Sequence, residues 1–460
     1  METIYIYHTN DIHSHFQSWP RIRNYVKAAK ESHPGQTFVF DSGDFIDRFH
    51  PFTEATAGKG NMQFLQEAGY DAVTIGNNEG ITLSHDELNQ LYVDVGFTCV
   101  VANLFHKNGT RPAWAKPYRL FHTNSGTTIA LTGVTVPYAN FYEPLNWLVK
   151  DPFIALAEII PVVREKADIV IVLSHLGLSD DERIAREFPG VDLIIGGHTH
   201  HILQNGKRIN ETLLTCTGKY GKFLGEIVIR FNPESKKVVD QQARLIPAVN
   251  LPPSPDEADF AAKLIQEGKR RLTVPVASLP EPLPASWFSE SALTRLLCEG
   301  LTEWCRADCS FINAGILLDG LGPGMVTEYQ IHQICPHPIN PCVVHIDGSR
   351  FREVLLQTES DRYMHLELKG FGFRGKVFGK IVYDNIQIEG RGAASTIKIN
   401  DEELLPDKVY RVATLDIFAF ARFYPEMTRS EKEFYLPETM RDILKWKLQQ
   451  MFPYKSGEGE

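Results

Sequence analysis

The sequence contains few cysteines, and their arrangement does not suggest a disulfide framework. The seven lie at Cys99, Cys216, Cys298, Cys305, Cys309, Cys335 and Cys342. An odd and scattered set is typical of free thiols in a reducing compartment rather than of a small disulfide-rich secreted domain. The pair Cys305 and Cys309 could form half of a zinc site, but no second Cys or His pair lies at zinc-finger spacing. Packing on one face of a helix explains the pair better.

The chain also lacks long apolar runs and an excess of positive charge. No segment of about 18 uncharged apolar residues is present, as a membrane span would need, and no apolar leader follows Met1. We therefore expect a cytoplasmic protein without membrane contact. With 47 Lys and Arg against 57 Asp and Glu, the formal net charge is −10. A nucleic acid polymer is accordingly not an expected partner.

The length and the order of local patterns indicate an α/β protein with more than one domain. A chain of 460 residues is long enough for two or three domains. In the first half, short apolar strands alternate with helical patterns, as in residues 4–7, 21–32, 37–40, 60–70, 72–75, 152–167, 168–173 and 191–195. Strands that are apolar on both faces are typical of a sheet covered by helices on both sides.

Polar side chains follow five of these strands, beside glycines that leave room for a ligand. The candidate donors are Asp11, His13, Asp44, Asn77, His175, His198 and His200. Mixed oxygen and imidazole donors suit Mn, Zn, Fe or Co. Seven donors are too many for one tetrahedral ion. They fit two ions that share a carboxylate, an arrangement found in enzymes that catalyse in-line displacement at phosphorus. Any one His could be an ordinary hydrogen-bonded loop residue, but five strand ends of this kind together favour a metal site.

These segments, in this order, resemble the calcineurin-like metallophosphoesterases. The matching motifs are Asp11-x-His13, Gly43-Asp44, Gly76-Asn77, Ser174-His175 and Gly197-His198-x-His200. The phrase Thr9-Asn10-Asp11-Ile12-His13 and the long second half resemble more narrowly the bacterial 5′-nucleotidase and UDP-sugar hydrolase branch. The resemblance implies a four-layer αββα sandwich followed by a smaller α/β (α+β) substrate-specificity domain.

The resemblance also implies how the donors are divided between two divalent ions. Asp11, His13, Asp44 and His200 would hold one ion, and Asp44, Asn77, His175 and His198 would hold the other, with Asp44 bridging. The sequence departs from the family after Asn77, where the family has Gly-Asn-His-Glu and this chain has Asn78. The family's histidine stabilises the transition state or protonates the leaving group. The Asp that orients it is replaced by Ile81. Catalytic roles are thus expected for Asn77 and, in altered form, for Asn78.

We divide the chain into a metallophosphoesterase domain (1–245), a linker helix (246–273) and a 5′-nucleotidase-like substrate-binding domain (274–460). The proline-rich stretch 251–255 and the polar helical pattern 256–271 suggest the linker. A helix packed on the first domain is an equal alternative for this segment.

The second half offers candidate substrate contacts. Asn313 lies in a segment that resembles the family's Asn-x-Gly at the nucleotide pocket, but Leu317-Leu318 replaces the arginine that follows it there. Arg350 and Arg352 could supply phosphate-binding charge instead, or they could begin an exposed helix. Phe371 or Phe373, together with Phe420, could stack on a base, or each could pack in a core.

The function that these patterns predict is metal-dependent hydrolysis of nucleotides or related small phosphate compounds. Hydroxide activated by two ions would attack phosphorus in line, in a 5′-nucleotidase-like, UDP-sugar hydrolase-like or 2′,3′-cyclic phosphodiesterase-like reaction. One alternative is a nucleotide-binding sensor that keeps the metal site and has lost catalysis through Asn78. Another is a nuclease of the same fold, which the acidic charge disfavours. No oligomeric state is predicted.

Overall fold

The computed structural model describes residues 1–360, 363–368, 370, 372–390, 392–421 and 423–454, with residue 393 described by its backbone only. The chain forms two compact units, residues 1–268 and residues 269–460. This division falls between the boundaries 245 and 274 that the sequence suggested.

The first unit contains two β-sheets and the helices that cover them. Its strands are β1 (Glu2–Thr9), β2 (Thr37–Asp41), β3 (Ala72–Val73), β4 (Thr98–Val100), β5 (Leu104–His106), β6 (Ala115–Lys116), β7 (Tyr118–His122), β8 (Thr128–Thr135), β9 (Trp147–Val149), β10 (Ile169–His175), β11 (Leu193–Gly196), β12 (Lys207–Ile209), β13 (Thr212–Thr215), β14 (Phe223–Asn232) and β15 (Lys237–Pro247). Its helices are α1 (Trp19–Ser32), α2 (Pro51–Thr56), α3 (Lys59–Ala68), α4 (Asn77–Thr82), α5 (His85–Leu91), α6 (Ala139–Tyr142), α7 (Pro152–Arg164), α8 (Leu178–Glu187) and α9 (Glu257–Arg271), with a short 3₁₀ turn at Ala248–Asn250.

The two large sheets of this unit pack face to face. One has the strand order β15-β14-β1-β2-β3-β4-β6, and the other has the order β12-β13-β11-β10-β8-β7. Side chains from both sheets share one buried cluster, including Ile4, Phe40, Ile171 and Leu193. Helices α7 and α8 cover the outer face of the second sheet, and α1 packs on β2 and α3. This is the αββα sandwich that the sequence predicts.

Local sequence explains where these helices begin. Asp151 accepts hydrogen bonds from the backbone N–H groups of Phe153 and Ile154, and Pro152 stands in the first turn of α7, where its missing N–H costs nothing. Helix α5 begins with a capping box between Ser84 and Glu87. The α7 and α5 helices thus have their unpaired N–H groups satisfied by residues close in sequence.

The start of α9 is tied to α1 by two ion pairs within the first unit. Arg21 contacts Glu257 at 2.6 Å, and Arg23 contacts Asp256 at 2.9 Å. Of the two roles that the sequence allowed for this segment, packing on the first unit is the one observed for the beginning of the helix.

The second unit is built on a mixed five-stranded sheet with the order β20-β17-β24-β19-β25. Its strands are β16 (Pro275–Leu279), β17 (Cys309–Asn313), β18 (Gly324–Thr327), β19 (Pro341–Asp347), β20 (Ile381–Asp384), β21 (Ile386–Glu389), β22 (Thr396–Ile399), β23 (Glu402–Glu403), β24 (Val409–Leu415) and β25 (Glu431–Phe434). Its helices are α10 (Ala292–Cys305), α11 (Glu328–Ile334), α12 (Gly348–Thr358), α13 (Asp416–Phe420), α14 (Pro425–Arg429) and α15 (Met440–Met451), with 3₁₀ turns at Ala314–Ile316 and Gly392–Ala394.

All seven cysteines lie in the described part of the chain, and each is free and buried. Cys305 and Cys309 belong to the hydrophobic core of the second unit, so packing, rather than metal binding, accounts for them. Among the described helices, none has both the length and the apolar character needed to cross a bilayer.

The core of the second unit leaves no room for a side chain at Gly315. A Cβ atom there would lie 1.9 Å from the carbonyl oxygen of Val377 and 2.5 Å from that of Phe378. The N–H of Gly315 also donates to that Phe378 oxygen at 2.9 Å. The backbone must therefore shift if this glycine is replaced.

We expect Gly315→Ala to lower the free energy of unfolding by about 1–3 kcal/mol or more, because it overpacks a site walled by backbone. Gly322→Ala is the matched control, since a Cβ atom there meets no atom within 4 Å, and its effect should stay within about 0.5 kcal/mol. Urea unfolding followed by circular dichroism measures both. Equal effects would show that the backbone around Gly315 yields easily.

Candidate metal centre

The first sheet brings four of the predicted donors to one edge. Strands β1, β2 and β3 are parallel neighbours, with Thr9 opposite Asp41 and Asp41 opposite Val73. Their carboxyl ends therefore lie side by side, which is where ligands bind in open α/β sheets. The segments that follow carry Asp11, His13, Asp44 and Asn77.

The second sheet supplies the three remaining strand-end histidines. Strand β10 ends on His175, and it runs parallel to β11, with Ser174 opposite Gly196. The segment after β11 carries His198 and His200. Because the two sheets pack face to face, donors from both meet at one place, as the sequence predicts.

The backbone around the donors adopts conformations that only a few residues tolerate. Left-handed values of φ occur at the donors Asp11, His13, Asp44, His198 and His200. Such conformations cost about 1–3 kcal/mol each and cluster at functional sites. Close approach is also required, because a Cβ atom on Gly76 would lie 2.1 Å from Oδ1 of Asp44.

The first group of donors converges on one point. Nε2 of His13 and Nε2 of His200 are 3.2 Å apart, and they lie 3.6 Å and 3.4 Å from Oδ1 of Asp11. Oδ2 of Asp44 is 3.7 Å from the same His13 nitrogen. The ligand atoms of Asp11, His13 and His200 thus lie close enough together to hold a metal ion.

The second group contains a buried nitrogen that lacks a hydrogen-bond partner. Nδ1 of His175 lies 2.7 Å from the backbone oxygen of Ser42, so in the neutral imidazole this nitrogen carries the proton and Nε2 has the lone pair. Among the described residues, Nε2 has no hydrogen-bond partner, and it lies 3.4 Å from Oδ2 of Asp44. A backbone oxygen that orients a ligating imidazole in this way is common at metal sites, so the residues fit a cation.

The pair of His198 and Asn77 completes this group. Nδ1 of His198 is 2.9 Å from Oδ1 of Asn77, and the rings of His198 and His175 are 5.3 Å apart. The backbone N–H of His198 donates to both carboxylate oxygens of Asp11, at 3.2 and 3.0 Å. The seven predicted donors therefore form one connected cluster.

The buried carboxylates and imidazoles of the cluster shift one another's pKa values. Burial alone would lower the pKa of His175, but the carboxylates of Asp44 and Asp11 outweigh it and raise that pKa to about 9. Burial alone would raise the pKa of Asp11, but hydrogen bonds from His13 and His200 hold it below its ordinary value. A metal ion must therefore compete with a proton for Nε2 of His175.

Several supporting residues were not singled out from the sequence. Asn10 donates to Oδ2 of Asp11 at 2.7 Å. Glu79 accepts from the backbone N–H groups of Asp44 and Gly76, at 2.9 and 2.8 Å. The hydroxyl of Tyr138 is 2.9 Å from Nε2 of His198. Asn10 and Glu79 stand within the motifs, but Tyr138 had no signal in the sequence because it comes from a distant loop.

Asn78 is turned toward Asp44. Its side-chain Nδ2 donates to Oδ2 of Asp44 at 2.7 Å, and its backbone N–H donates to Oδ1 at 2.7 Å. Nδ2 is also 3.3 Å from Nδ1 of His13, and the residue is 5 % exposed. Asn78 therefore holds the carboxylate that lies between His13 and His175.

Three of the candidate substrate contacts lie at one end of the sheet in the second unit. Strands β17 and β24 are parallel, so Asn313 and Phe420, near their carboxyl ends, share that end. The loop that precedes β19 also lies there, and Phe373 stacks on its His337 at 4.9 Å and 5°. Phe373 is 4 % exposed, whereas Phe420 is 36 % exposed. In this structure the face of Phe373 is covered by a protein ring, and Phe420 is accessible.

Arg350 lies at the opposite end of this sheet. Strand β19 runs antiparallel to β24, with Asp347 opposite Val409 at the beginning of β24, and Arg350 follows in the first turn of α12. Its guanidinium donates to the carboxylate of Asp347, and Arg352 donates to the backbone oxygen of Ser395 at 2.7 Å. Arg350 is thus part of a helix start and does not share a pocket with Asn313. Phe371 lies outside the described residues.

Comparisons with known proteins agree with this geometry. The calcineurin-like phosphoesterase family matches residues 4–201, and the 5′-nucleotidase C-terminal domain matches residues 273–421. The chain is 40 % identical over 460 residues to the metallophosphoesterase YunD of Bacillus subtilis, whose function is described as uncharacterized, covering 98 % of this chain and 100 % of that protein. It is 25 % identical to the protein UshA of Yersinia enterocolitica, over 90 % of this chain and 85 % of UshA.

The fold also resembles solved structures. Haemophilus influenzae NAD nucleotidase aligns with 98 % of this chain and 96 % of its own, with a TM-score of 0.68 and 15 % identity. From the family matches, the relatives and the metal-binding geometry together, the chain belongs to the calcineurin-like phosphoesterases, as a phosphoester hydrolase that carries a 5′-nucleotidase C-terminal domain.

Proposed function

We propose that the chain hydrolyses nucleotides or related small phosphate compounds with the help of two divalent transition-metal ions. The observation that carries the proposal is a pair of donor groups, Asp11 with His13 and His200 and Asp11 with Asp44 and His175, whose ligand atoms lie close enough to hold metal ions. Nε2 of His175 is buried and has no hydrogen-bond partner among the described residues. Mn, Zn, Fe and Co all suit such a mixed donor set. The reaction would be 5′-nucleotidase-like, UDP-sugar hydrolase-like or 2′,3′-cyclic phosphodiesterase-like.

Residues of the first unit would hold the two ions and fix the carboxylate between them. When bound, two divalent ions acidify water and neutralise charge on the phosphoryl oxygens. Asp44 would be shared between the ions. The side chain of Asn78 donates a hydrogen bond to its carboxylate, and the carboxylate of Glu79 accepts one from the backbone N–H of Asp44, so both residues fix its position. Asn77 and His198, 2.9 Å apart, would complete the second position.

Asn78 supports a choice among leaving groups. An amide does not titrate near neutral pH, and here it already donates to Asp44. A nucleoside that leaves as its alkoxide gains from a proton donor, whereas a phosphate or a phenolate leaves readily as an anion. We therefore place phosphoric anhydrides and activated esters ahead of nucleoside monophosphates as substrates.

We also propose that the second unit selects the substrate and that the protein is located in a reducing cytoplasm. Asn313 and Phe420 lie at one end of the same sheet, and the partial exposure of Phe420 supports stacking on a base. The seven buried free cysteines fit a cytoplasmic location.

The alternative function is a nucleotide-binding sensor. If the protein with its metals shows no turnover on any phosphate ester or anhydride, the sensor function replaces hydrolysis.

The wild-type protein should bind two divalent ions per chain, because two separate groups of donors converge in it. His175→Ala should bind about one ion fewer, since the second group loses its unpartnered nitrogen. Equilibrium dialysis followed by elemental analysis measures the ratio, and thermal unfolding checks that the variant is folded.

His122→Ala is the matched control, because His122 lies exposed in β7 and far in sequence from the donors. It should bind as many ions as the wild type. A value near one ion in the reconstituted wild-type protein, unchanged in His175→Ala, would contradict the two-ion arrangement.

The native protein should show a higher kcat/KM for a phosphoric anhydride than for a nucleoside monophosphate. General acid catalysis is worth about 10²–10⁴-fold, and Asn78 cannot supply it. Asn78→His should raise monophosphate turnover relative to anhydride turnover by roughly tenfold, below the full range because Ile81 cannot orient the imidazole.

Asn78→Ala serves as the control for this measurement. It loses the same contact with Asp44 and adds no proton donor, so the ratio of the two kcat/KM values should stay at its native level. A native preference for the monophosphate at neutral pH would show that another group donates the proton.

A further inference from the structure

Beside the metal centre, three aromatic rings and a lysine form a surface that neither the motifs nor the donor set accounts for. We call the four residues His15, Phe49, Lys219 and Tyr220 the rim cluster. His15 stacks on Tyr220 with 3.7 Å between ring centroids and 21° between planes, and Phe49 lies 5.1 Å from His15. All four side chains are partly exposed, so the stack is open to a ligand.

The rim cluster is joined directly to the segments that carry the donors. The N–H of Tyr220 donates to the backbone oxygen of Asp11 at 2.8 Å, and the N–H of Gly218 donates to that of His201 at 2.9 Å. The ring of Tyr220 meets His13 edge-on at 5.9 Å. A ligand held by Tyr220 would therefore touch the metal centre.

The backbone of Tyr220 is strained. Its φ is 66°, in the left-handed region that bulky side chains rarely adopt. This conformation places the ring between His13 and His15, with contacts to both. Strain of this kind persists where the surrounding structure holds it, and it is frequent at ligand sites.

Lys219 adds a positive charge to this surface. Its Nζ lies 4.6 Å over the ring of Tyr220. Among the residues that the structure describes, no carboxylate lies within ion-pair distance of this ammonium group. A partly exposed cation without a counter-ion, at the rim of a site that binds phosphate, is suited to an anion of the substrate.

We infer that the rim cluster binds the leaving part of a substrate that carries its own negative charge, as in a nucleoside diphosphate. This inference rests on the proposed function. The donor cluster would engage the phosphoryl group under attack, so the charge of Lys219 remains for the second phosphate. All four residues belong to the first unit.

The corresponding reaction balances without any further reagent. The oxygen of water bonds to the terminal phosphorus, and the bond from that phosphorus to the bridging oxygen breaks. The bridging oxygen keeps the electron pair and leaves on the second phosphate. Nucleoside diphosphate and water thus give nucleoside monophosphate, orthophosphate and one proton. Lys219 stabilises the charge that develops on the leaving phosphate.

The test compares adenosine diphosphate with p-nitrophenyl phosphate, whose leaving group has no phosphate. In Lys219→Gln, the ratio of kcat/KM for the diphosphate to that for the aryl phosphate should fall about tenfold, which corresponds to about 1.4 kcal/mol. Lys219→Arg should restore most of the ratio because it keeps the charge. The difference between Lys219→Gln and the wild type should shrink at high salt.

Lys237→Gln is the matched control, since Lys237 is an exposed lysine in the edge strand β15, and its ratio should equal that of the wild type. Equal losses on both substrates in Lys219→Gln, or no rescue by arginine, would overturn the inference while metal-dependent hydrolysis still supports the proposed function. Absence of metal-dependent turnover on both substrates would overturn the proposed function, and the inference with it.

Discussion

The burial of two carboxylates, Asp11 and Asp44, is the constraint on which the rest of the site depends. Asp11 is 0 % exposed and Asp44 is 2 % exposed. A buried ionised carboxylate is costly unless cations or hydrogen bonds compensate it. Imidazoles surround both groups, amides of Asn10 and Asn78 donate to them, and backbone N–H groups do the same. The arrangement suits a receptor for positive charge, which the proposed divalent ions would supply.

The sandwich of two sheets is what makes this concentration of donors possible. A single parallel sheet presents its strand ends in one row, about 4.8 Å from strand to strand. Here β1, β2 and β3 present one row, and β10 and β11 present another, because the sheets share a buried core. Donors can thus approach from two sides, and the packed core between the sheets keeps the two rows at a fixed separation. Five of the donors adopt left-handed backbone conformations at this place.

Asn78 shows how one replacement changes the chemistry of an otherwise complete site. In the family that the motifs resemble, a histidine at this position stabilises the transition state or protonates the leaving group. Here the amide donates to Asp44 instead, at 2.7 Å, and under the proposed function it would offer the leaving group no proton. The rim cluster would stabilise the leaving group in another way, because a cation such as Lys219 stabilises a leaving phosphate by charge alone. Under the proposed function, the two features together would favour substrates whose leaving group departs as an anion.

The donors and the fold of the first unit follow from the sequence, because strand ends, glycines and donor types are local patterns that parallel pairing brings to one edge. The contacts of individual side chains do not follow from it. Arg350 and Asn313 lie only 37 positions apart, yet the antiparallel register of β19 places Arg350 at the other end of the sheet. Phe373 is covered by His337, and Tyr220 stacks on His15 across 205 positions of the chain. Such contacts depend on which distant segments meet, and that is decided by the tertiary packing of the whole unit.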